Sequence, residues 1–350
     1  MDPMQTPRNF PFKPRRIAIE LVRGCNFSCP MCPVTSNAAL EPHKYQFMDL
    51  TLLRALVAEI DRWPSITSIW FFHMGEAMLH PQYRTCLEIL NESPVARQAF
   101  VVQHTNASVL SGEKAQAILD VPVINKLVFS FDGFGDKESF ERLRGPHFDR
   151  VLQNIRTFAP RARDRRPPLN LATCTILPRD GEVVGMRMTS RDDAMAALHT
   201  LFDPIGVTVE TRDMHDYTGN EQLLLSGTKP ARVLGGCPFV ERDALHFTVH
   251  GWAQPCCAYS ERFNVGNLSR QNFGELLNSD TMNALRHALR LDQREDLPFC
   301  RNCTISMSKG MDAAAIERVW HSRDQQGLLT DSAEREYVYG TVIPLATACP

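Results

Sequence analysis

Residues 16–33 read Arg16-Ile17-Ala18-Ile19-Glu20-Leu21-Val22-Arg23-Gly24-Cys25-Asn26-Phe27-Ser28-Cys29-Pro30-Met31-Cys32-Pro33. The first half has the apolar, β-branched character of a strand. A loop follows in which three cysteines stand with three residues and then two between them. One short loop thus presents three thiolates toward one point and offers no fourth. A structural zinc site is closed by four ligands. A 4Fe–4S cube on three cysteines keeps one iron open to bind and activate a ligand, which suits catalysis better than scaffolding.

Beyond this loop, short apolar runs alternate with helical patterns. Strands are expected at 16–22, 66–73, 99–104, 124–131, 169–177 and 206–212, with helices at 49–63, 81–91, 111–120, 148–159 and 190–202. Asp49 and Ser111 are candidate N-caps, because a side-chain oxygen there can accept from the first free amides. Alternating strands and helices predict an α/β fold with a parallel sheet and its helices outside. Eight repeats would close a full TIM barrel, whereas six leave a partial (β/α)6 barrel whose ligands gather at the carboxyl ends of the strands.

The chain has 350 residues, 43% of them hydrophobic, enough for one large core and a smaller second unit. Its 38 basic and 40 acidic side chains leave a formal charge of −2, which suggests neither a nucleic-acid nor a membrane partner. The basic run Arg161-Ala162-Arg163-Asp164-Arg165-Arg166 reads as a solvated loop. No apolar run is long enough to span a bilayer, and the first residues lack a signal pattern. The expectation is a cytoplasmic chain whose eleven cysteines serve metal or redox chemistry.

A second cysteine group lies toward the other end. Ala244–Val249, a His250-Gly251 turn and Trp252–Cys256 read as a β-hairpin. Val265-Gly266-Asn267-Leu268, two amphipathic helical patterns and Cys300-Arg301-Asn302-Cys303 follow. With Cys237, this arrangement can fold four thiolates around one centre, which zinc and iron–sulfur both accept. Cys256 and Cys257 are adjacent, so on a strand they point to opposite faces and one thiol is spare. Cys86 and Cys174 read as core, although Cys174 on a strand can also face the barrel interior.

The first motif resembles the radical S-adenosylmethionine (radical SAM) superfamily, whose signature has this spacing. That resemblance implies a six-stranded partial barrel. It also implies a 4Fe–4S cluster on Cys25, Cys29 and Cys32 that chelates S-adenosylmethionine (SAM) and, given one electron, releases a 5′-deoxyadenosyl radical. Met31 stands where the family often has an aromatic residue near the adenine. Phe72-His73-Met74-Gly75-Glu76-Ala77 is similar to the family's Gly-Gly-Glu-Pro and keeps Gly75 and Glu76. Thr105-Asn106-Ala107 is similar to its Thr-Asn-Gly, and Ser130-Phe131-Asp132-Gly133 to its Ser-x-Asp-Gly. By resemblance, Ser130 contacts the SAM carboxylate or ribose, Asp132 belongs to the same group, and Arg144 pairs with the carboxylate.

Cys237 to Cys303 looks like the auxiliary-cluster region of the SPASM/twitch group. With only Cys349 beyond Cys303, the expectation is the shorter version: one auxiliary 4Fe–4S cluster on Cys237, Cys256 or Cys257, Cys300 and Cys303. Cys256 is favoured by its spacing to Gly251. A spare Cys257 is buried filler or a hydrogen-atom donor to a substrate radical. The resulting divisions are an extension over 1–15, a barrel over 16–215, a linker over 216–235, a small α+β auxiliary-cluster domain over 236–305 and a helical tail over 306–350.

Peptide-modifying members of this family often carry an extra N-terminal domain. Here about sixteen residues precede the first strand, fewer than a domain needs. The expected substrate is therefore a small polar molecule, a sugar, aminocyclitol or nucleoside of secondary metabolism such as antibiotic biosynthesis. Hydrogen abstraction would lead to its dehydrogenation or epimerisation, with the electron supplied by a donor such as flavodoxin or ferredoxin. Asp213, His215 and Asp216, after the last barrel strand, are candidate substrate contacts. The alternatives are a peptide-modifying maturase and a non-catalytic zinc protein.

Overall fold

The structure, a computed structural model, describes residues 10–36, 44–177, 182–183, 186–213, 237, 240, 243–257, 264–290, 293, 297 and 300. Five strands form the parallel body of the sheet: β1 (Arg16–Ile19), β2 (Ser68–Trp70), β3 (Phe100–Thr105), β4 (Lys126–Phe129) and β5 (Asn170–Thr173). Each pairs with its sequence neighbour, as in Ile17 opposite Ile69 and Val128 opposite Ala172. β6 (Thr175–Leu177) carries the line of β5 upward and pairs in parallel with β7 (Thr211–Asp213), Arg212 standing opposite Ile176. A parallel bridge between Ala172 and Thr208 joins the same two chain segments lower down. All six expected strand regions are present, and with the helices outside they form an open, partial TIM-like barrel.

Alternation along the strands separates two environments. Ile17, Ile19, Ile69, Phe71, Val101, Leu127 and Phe129 are buried in one hydrophobic core with helix residues such as Leu56, Ile60, Leu87, Leu90, Ile118 and Ile155. The intervening residues, among them Trp70, Phe72, His104, Val128 and Cys174, face the lumen. Asp49 caps the helix Leu50–Ile60, its carboxylate accepting from the Thr51 amide at 2.7 Å. Ser111 occupies the N-cap position of Gly112–Asp120, but its side chain makes no cap hydrogen bond.

The helix Lys137–Arg144 has only a brief apolar pattern, Phe140 and Leu143, and was not anticipated. Asp136 starts it by accepting from the Ser139 amide at 2.9 Å. The basic run is not a solvated loop. Arg161 and Arg163 end the helix Phe148–Arg163, and Arg165 is buried, donating to the carbonyls of Ile118 and Pro167 at 3.1 Å each and to that of Ile124. A guanidinium there satisfies carbonyls that water does not reach.

The expected hairpin is formed by β8 (Ala244–Phe247) and β9 (Trp252–Gln254), with β10 (Gly266–Asn267) as a third strand. Gly251 turns the chain at a φ of +76°, a conformation glycine adopts without Cβ strain. β8 pairs in parallel with β1, Arg16 opposite Ala244 through Ile19 opposite Phe247. The hairpin therefore covers the barrel edge at β1 and extends the same sheet. The helix Phe273–Leu277 follows, capped by an Asn272–Glu275 box, and the Phe273 amide donates to Glu59 at 3.1 Å. No helix among the described residues is long and apolar enough to cross a membrane.

Candidate active site

The three-cysteine loop leaves the carboxyl end of β1 and lies over the mouth of the barrel. Cys29 is buried, and Cys25 and Cys32 are half-buried. Hydrogen-bond donors point at the sulfurs. The Phe27 amide lies 3.4 Å and Asn106 Nδ2 3.5 Å from Cys25 Sγ, and Arg144 Nη1 lies 3.8 Å from Cys29 Sγ. The amides of Val34 and Thr35 act on Cys32.

Burial pushes the Cys25 thiol up to about 12, reinforced by the Glu76 carboxylate, and the Cys29 thiol up to about 11 against the pull of Arg144. The Cys32 thiol is also raised by burial. A bound cationic centre reverses this logic by stabilising the thiolates. Three cysteines on one loop, each sulfur beside N–H donors, are a donor set that fits an iron–sulfur cube. No three His, Cys, Asp or Glu side chains among the described residues meet at a single ion. A cube makes no such demand, because each thiolate takes a different iron.

Gly75 packs beneath this loop at a φ of +84°, where an added Cβ would stand 2.3 Å from the Gly24 carbonyl oxygen and 2.5 Å from that of Val22. The Glu76 amide donates to Gly24 O at 3.2 Å. Its buried carboxylate accepts from the amides of Met78 at 3.1 Å and Asn106 at 2.7 Å, and from the Thr105 hydroxyl at 3.1 Å. Glu76 and Thr105 thus lock the ends of β2 and β3 together. Met74 is buried against Val34, Cys25 and Cys32, filling space beside the sulfurs.

Asn106 Nδ2 also donates to Asn26 Oδ1 at 2.9 Å, and Asn26 Nδ2 donates to Ser108 Oγ at 2.8 Å. Asn26, between the cysteines, is a positioning residue that the sequence reading passed over. Ser130 is half-buried at the end of β4, its amide donating to Thr105 O at 2.8 Å. Asp132 is fully buried, accepting from Arg144 Nε at 2.7 Å and from the Ile176 amide at 2.8 Å. Burial disfavours the Arg144 charge, but Asp132 and Cys29 more than offset this and hold its pKa above the usual arginine value. Met31 is half-buried, packed on Leu143 and Met186.

The structure therefore brings together Cys25, Cys29, Cys32, Gly75, Glu76, Thr105, Asn106, Asp132 and Arg144. Cys237 and Cys300 are half-buried against the main core, and Cys256 and Cys257 are half-buried in a bend after β9. Gln254, two residues before Cys256, has its Oε1 3.1 Å from His73 Nε2, a contact between the hairpin and the end of β2 that no local pattern signals. Asp213 ends β7. His215, Asp216, Cys303 and the 306–350 tail lie outside the described residues.

Comparison with known proteins follows the same division. Residues 19–179 match the model of the radical SAM superfamily, and residues 237–304 match that of the SPASM iron-sulfur cluster-binding domain. No curated protein sequence matches the chain significantly. Among solved structures, the chain is similar to BtrN in complex with AdoMet and 2-DOIA, at 15% identity and a TM-score of 0.50, covering 83% of this chain and 92% of that one. It is similar to Streptococcus suis SuiB bound to S-adenosylmethionine, at 12% identity and a TM-score of 0.54, with 87% and 74% covered. It is also similar to native anSMEcpe with bound AdoMet and Cp18Cys peptide, at 14% identity and a TM-score of 0.50, with 92% and 99% covered. At these identities the likeness is one of fold.

Proposed function

We propose that this chain, whose residues 19–179 and 237–304 match the radical SAM superfamily and the SPASM iron–sulfur cluster-binding domain, is a radical SAM enzyme that oxidises or epimerises a small polar molecule such as a sugar, aminocyclitol or nucleoside. When bound, the 4Fe–4S cluster with SAM supplies a 5′-deoxyadenosyl radical for hydrogen abstraction, and an auxiliary cluster supplies a second redox centre. Cys25, Cys29 and Cys32 would hold the first. Cys237, Cys256, Cys300 and Cys303 would hold the second, leaving Cys257 as the candidate hydrogen-atom donor. Gly75, Glu76, Thr105, Asn106 and Ser130 would line the SAM side. Asp132 acts through Arg144 by holding its guanidinium beside Cys29.

One observation carries this reading. The strand leading to the three-cysteine loop and the hairpin leading to Cys256 and Cys257 are parallel neighbours in one sheet, β1 beside β8. His73, just after β2, meets Gln254 on the hairpin, a second contact between the hairpin and the barrel. A second redox centre carried on that hairpin would stand beside the substrate space, an arrangement that supports net oxidation. Rings of Trp70, Phe72 and His104 line that space, with Phe72 and His104 centroids 4.1 Å apart, and would exclude water from a reactive radical.

A peptide substrate is the second reading, favoured by the fold shared with anSMEcpe, which was solved with a Cp18Cys peptide. The test is anaerobic reconstitution with iron and sulfide, then dithionite and SAM with candidate small molecules. Release of 5′-deoxyadenosine that rises with a small polar compound supports the proposal. Stimulation only by peptides would replace the small-molecule reading, and absence of 5′-deoxyadenosine would end it.

A further inference from the structure

Charges in the described lumen are mostly matched. Lys126 pairs with Glu210, Arg144 with Asp132, and Arg23 with Glu20. Arg16, at the closed end, lies over the Trp70 ring with its guanidinium carbon 4.5 Å from the centroid. Arg212 differs: among the described residues it has no carboxylate within ion-pair distance, and it is exposed. Its direction follows from strand alternation. The Thr211 hydroxyl accepts from Arg191, on an outer helix, at 3.5 Å, so Arg212 points the other way, into the barrel mouth. Consistently, the Arg212 charge acts on both His104 and Cys174, which face the lumen from β3 and from the junction of β5 and β6.

The level of Arg212 is set by its pairing with Ile176, whose amide binds Asp132. It therefore stands at the height of the Asp132–Arg144 pair, two residues beyond Cys174, on the last barrel strand. Two carboxylates near that height are already committed, Glu210 to Lys126 and Asp132 to Arg144. The walls below are rings and imidazoles. A planar fork of N–H donors facing such a space matches a carboxylate or a phosphate.

We propose that Arg212 holds an anionic group of the substrate, a phosphate or a carboxylate, at the mouth of the barrel. The inference rests on the reading of the lumen as a small-molecule site and narrows its substrate class to acidic molecules.

The experiment is isothermal titration of the reconstituted full chain, with SAM bound, using inorganic phosphate and acetate as probes. It compares the natural protein with Arg212→Gln and Arg212→Lys. Phosphate or acetate should bind the natural protein, and the one that binds identifies the group. Arg212→Gln should weaken that binding roughly tenfold or more, and Arg212→Lys should regain part of it. SAM affinity, titrated separately, should be the same in all three proteins. Failure of both anions to bind, or equal binding by Arg212→Gln, overturns the proposal. So does a loss of SAM affinity in Arg212→Gln, which would give the guanidinium to the SAM carboxylate. 5′-Deoxyadenosine formation by the natural protein is read independently, so failure of the anion site and failure of the radical reaction are told apart.

Discussion

Arg144 and Asp132 are joined at the rim of the barrel, Nε to Oδ2 at 2.7 Å, while Nη1 of the same guanidinium lies 3.8 Å from the Cys29 sulfur. The pair connects the end of β4 to the three-cysteine loop. Because both side chains are withdrawn from water, each depends on the other for its charge to be tolerated.

Removing one partner should therefore cost more than an ordinary surface ion pair. Asp132→Ala leaves a buried guanidinium uncompensated and should destabilise the protein by about 3–5 kcal/mol, read from urea unfolding. It should also reduce iron retained on the first cluster, since Arg144 is no longer held beside Cys29. A loss below about 1 kcal/mol would mean that solvent or another acid replaces Asp132.

Gly75→Ala places a Cβ where the Gly24 and Val22 carbonyl oxygens stand at 2.3 and 2.5 Å, on a backbone with φ +84°. The strained backbone alone costs about 1–3 kcal/mol, and the clash pushes on the cysteine loop. The expected result is a lower urea midpoint together with loss of SAM-dependent 5′-deoxyadenosine. A variant that matched the natural protein in both would show that the loop can yield.

Replacing Cys25, Cys29 and Cys32 together by Ala should abolish SAM cleavage and leave about half of the reconstituted iron, the share of one of two 4Fe–4S clusters. Iron and sulfide analysis checks the second outcome. Retained cleavage would remove the active cluster from this loop.

Acid should destabilise the fold through the lumen histidines. Burial pushes His73 down to about 4, opposed by Gln254, and pushes His104 down to about 3, with Arg212, Lys126 and Arg144 adding to it. Both are neutral in the fold, whereas the unfolded chain takes up protons near pH 6.5. The unfolded state then binds more protons, so stability falls as pH drops below about 6.5 toward those lower values. The loss should reach up to about 2 kcal/mol per histidine by pH 5. Urea midpoints measured at pH 7.5, 6 and 5 should decline accordingly, and His73→Gln should flatten the slope.

Local information was enough for much of this protein. The cysteine spacing, the six strand–helix repeats and the Asp49 cap are short-range patterns, and each has its counterpart in the fold. The Lys137–Arg144 helix escaped notice because Phe140 and Leu143 make too brief an apolar stripe to stand out from a loop. Arg165 was misread for a related reason: a basic run looks solvated until the carbonyls that receive its guanidinium are placed beside it.

Periodicity and motif spacing by themselves determined a parallel α/β sheet with thiolates at a strand end, because those features depend on neighbours within a few residues. Only the tertiary structure decided that the hairpin extends the sheet beside β1, and that Asp132 binds Arg144. It alone also decided that His73 meets Gln254, 181 positions away, and that Arg212 stands opposite Ile176 on the last barrel strand. Those contacts join segments far apart in the chain. Their partners are selected by how strands stack and which faces close, and no local pattern of residues contains that choice.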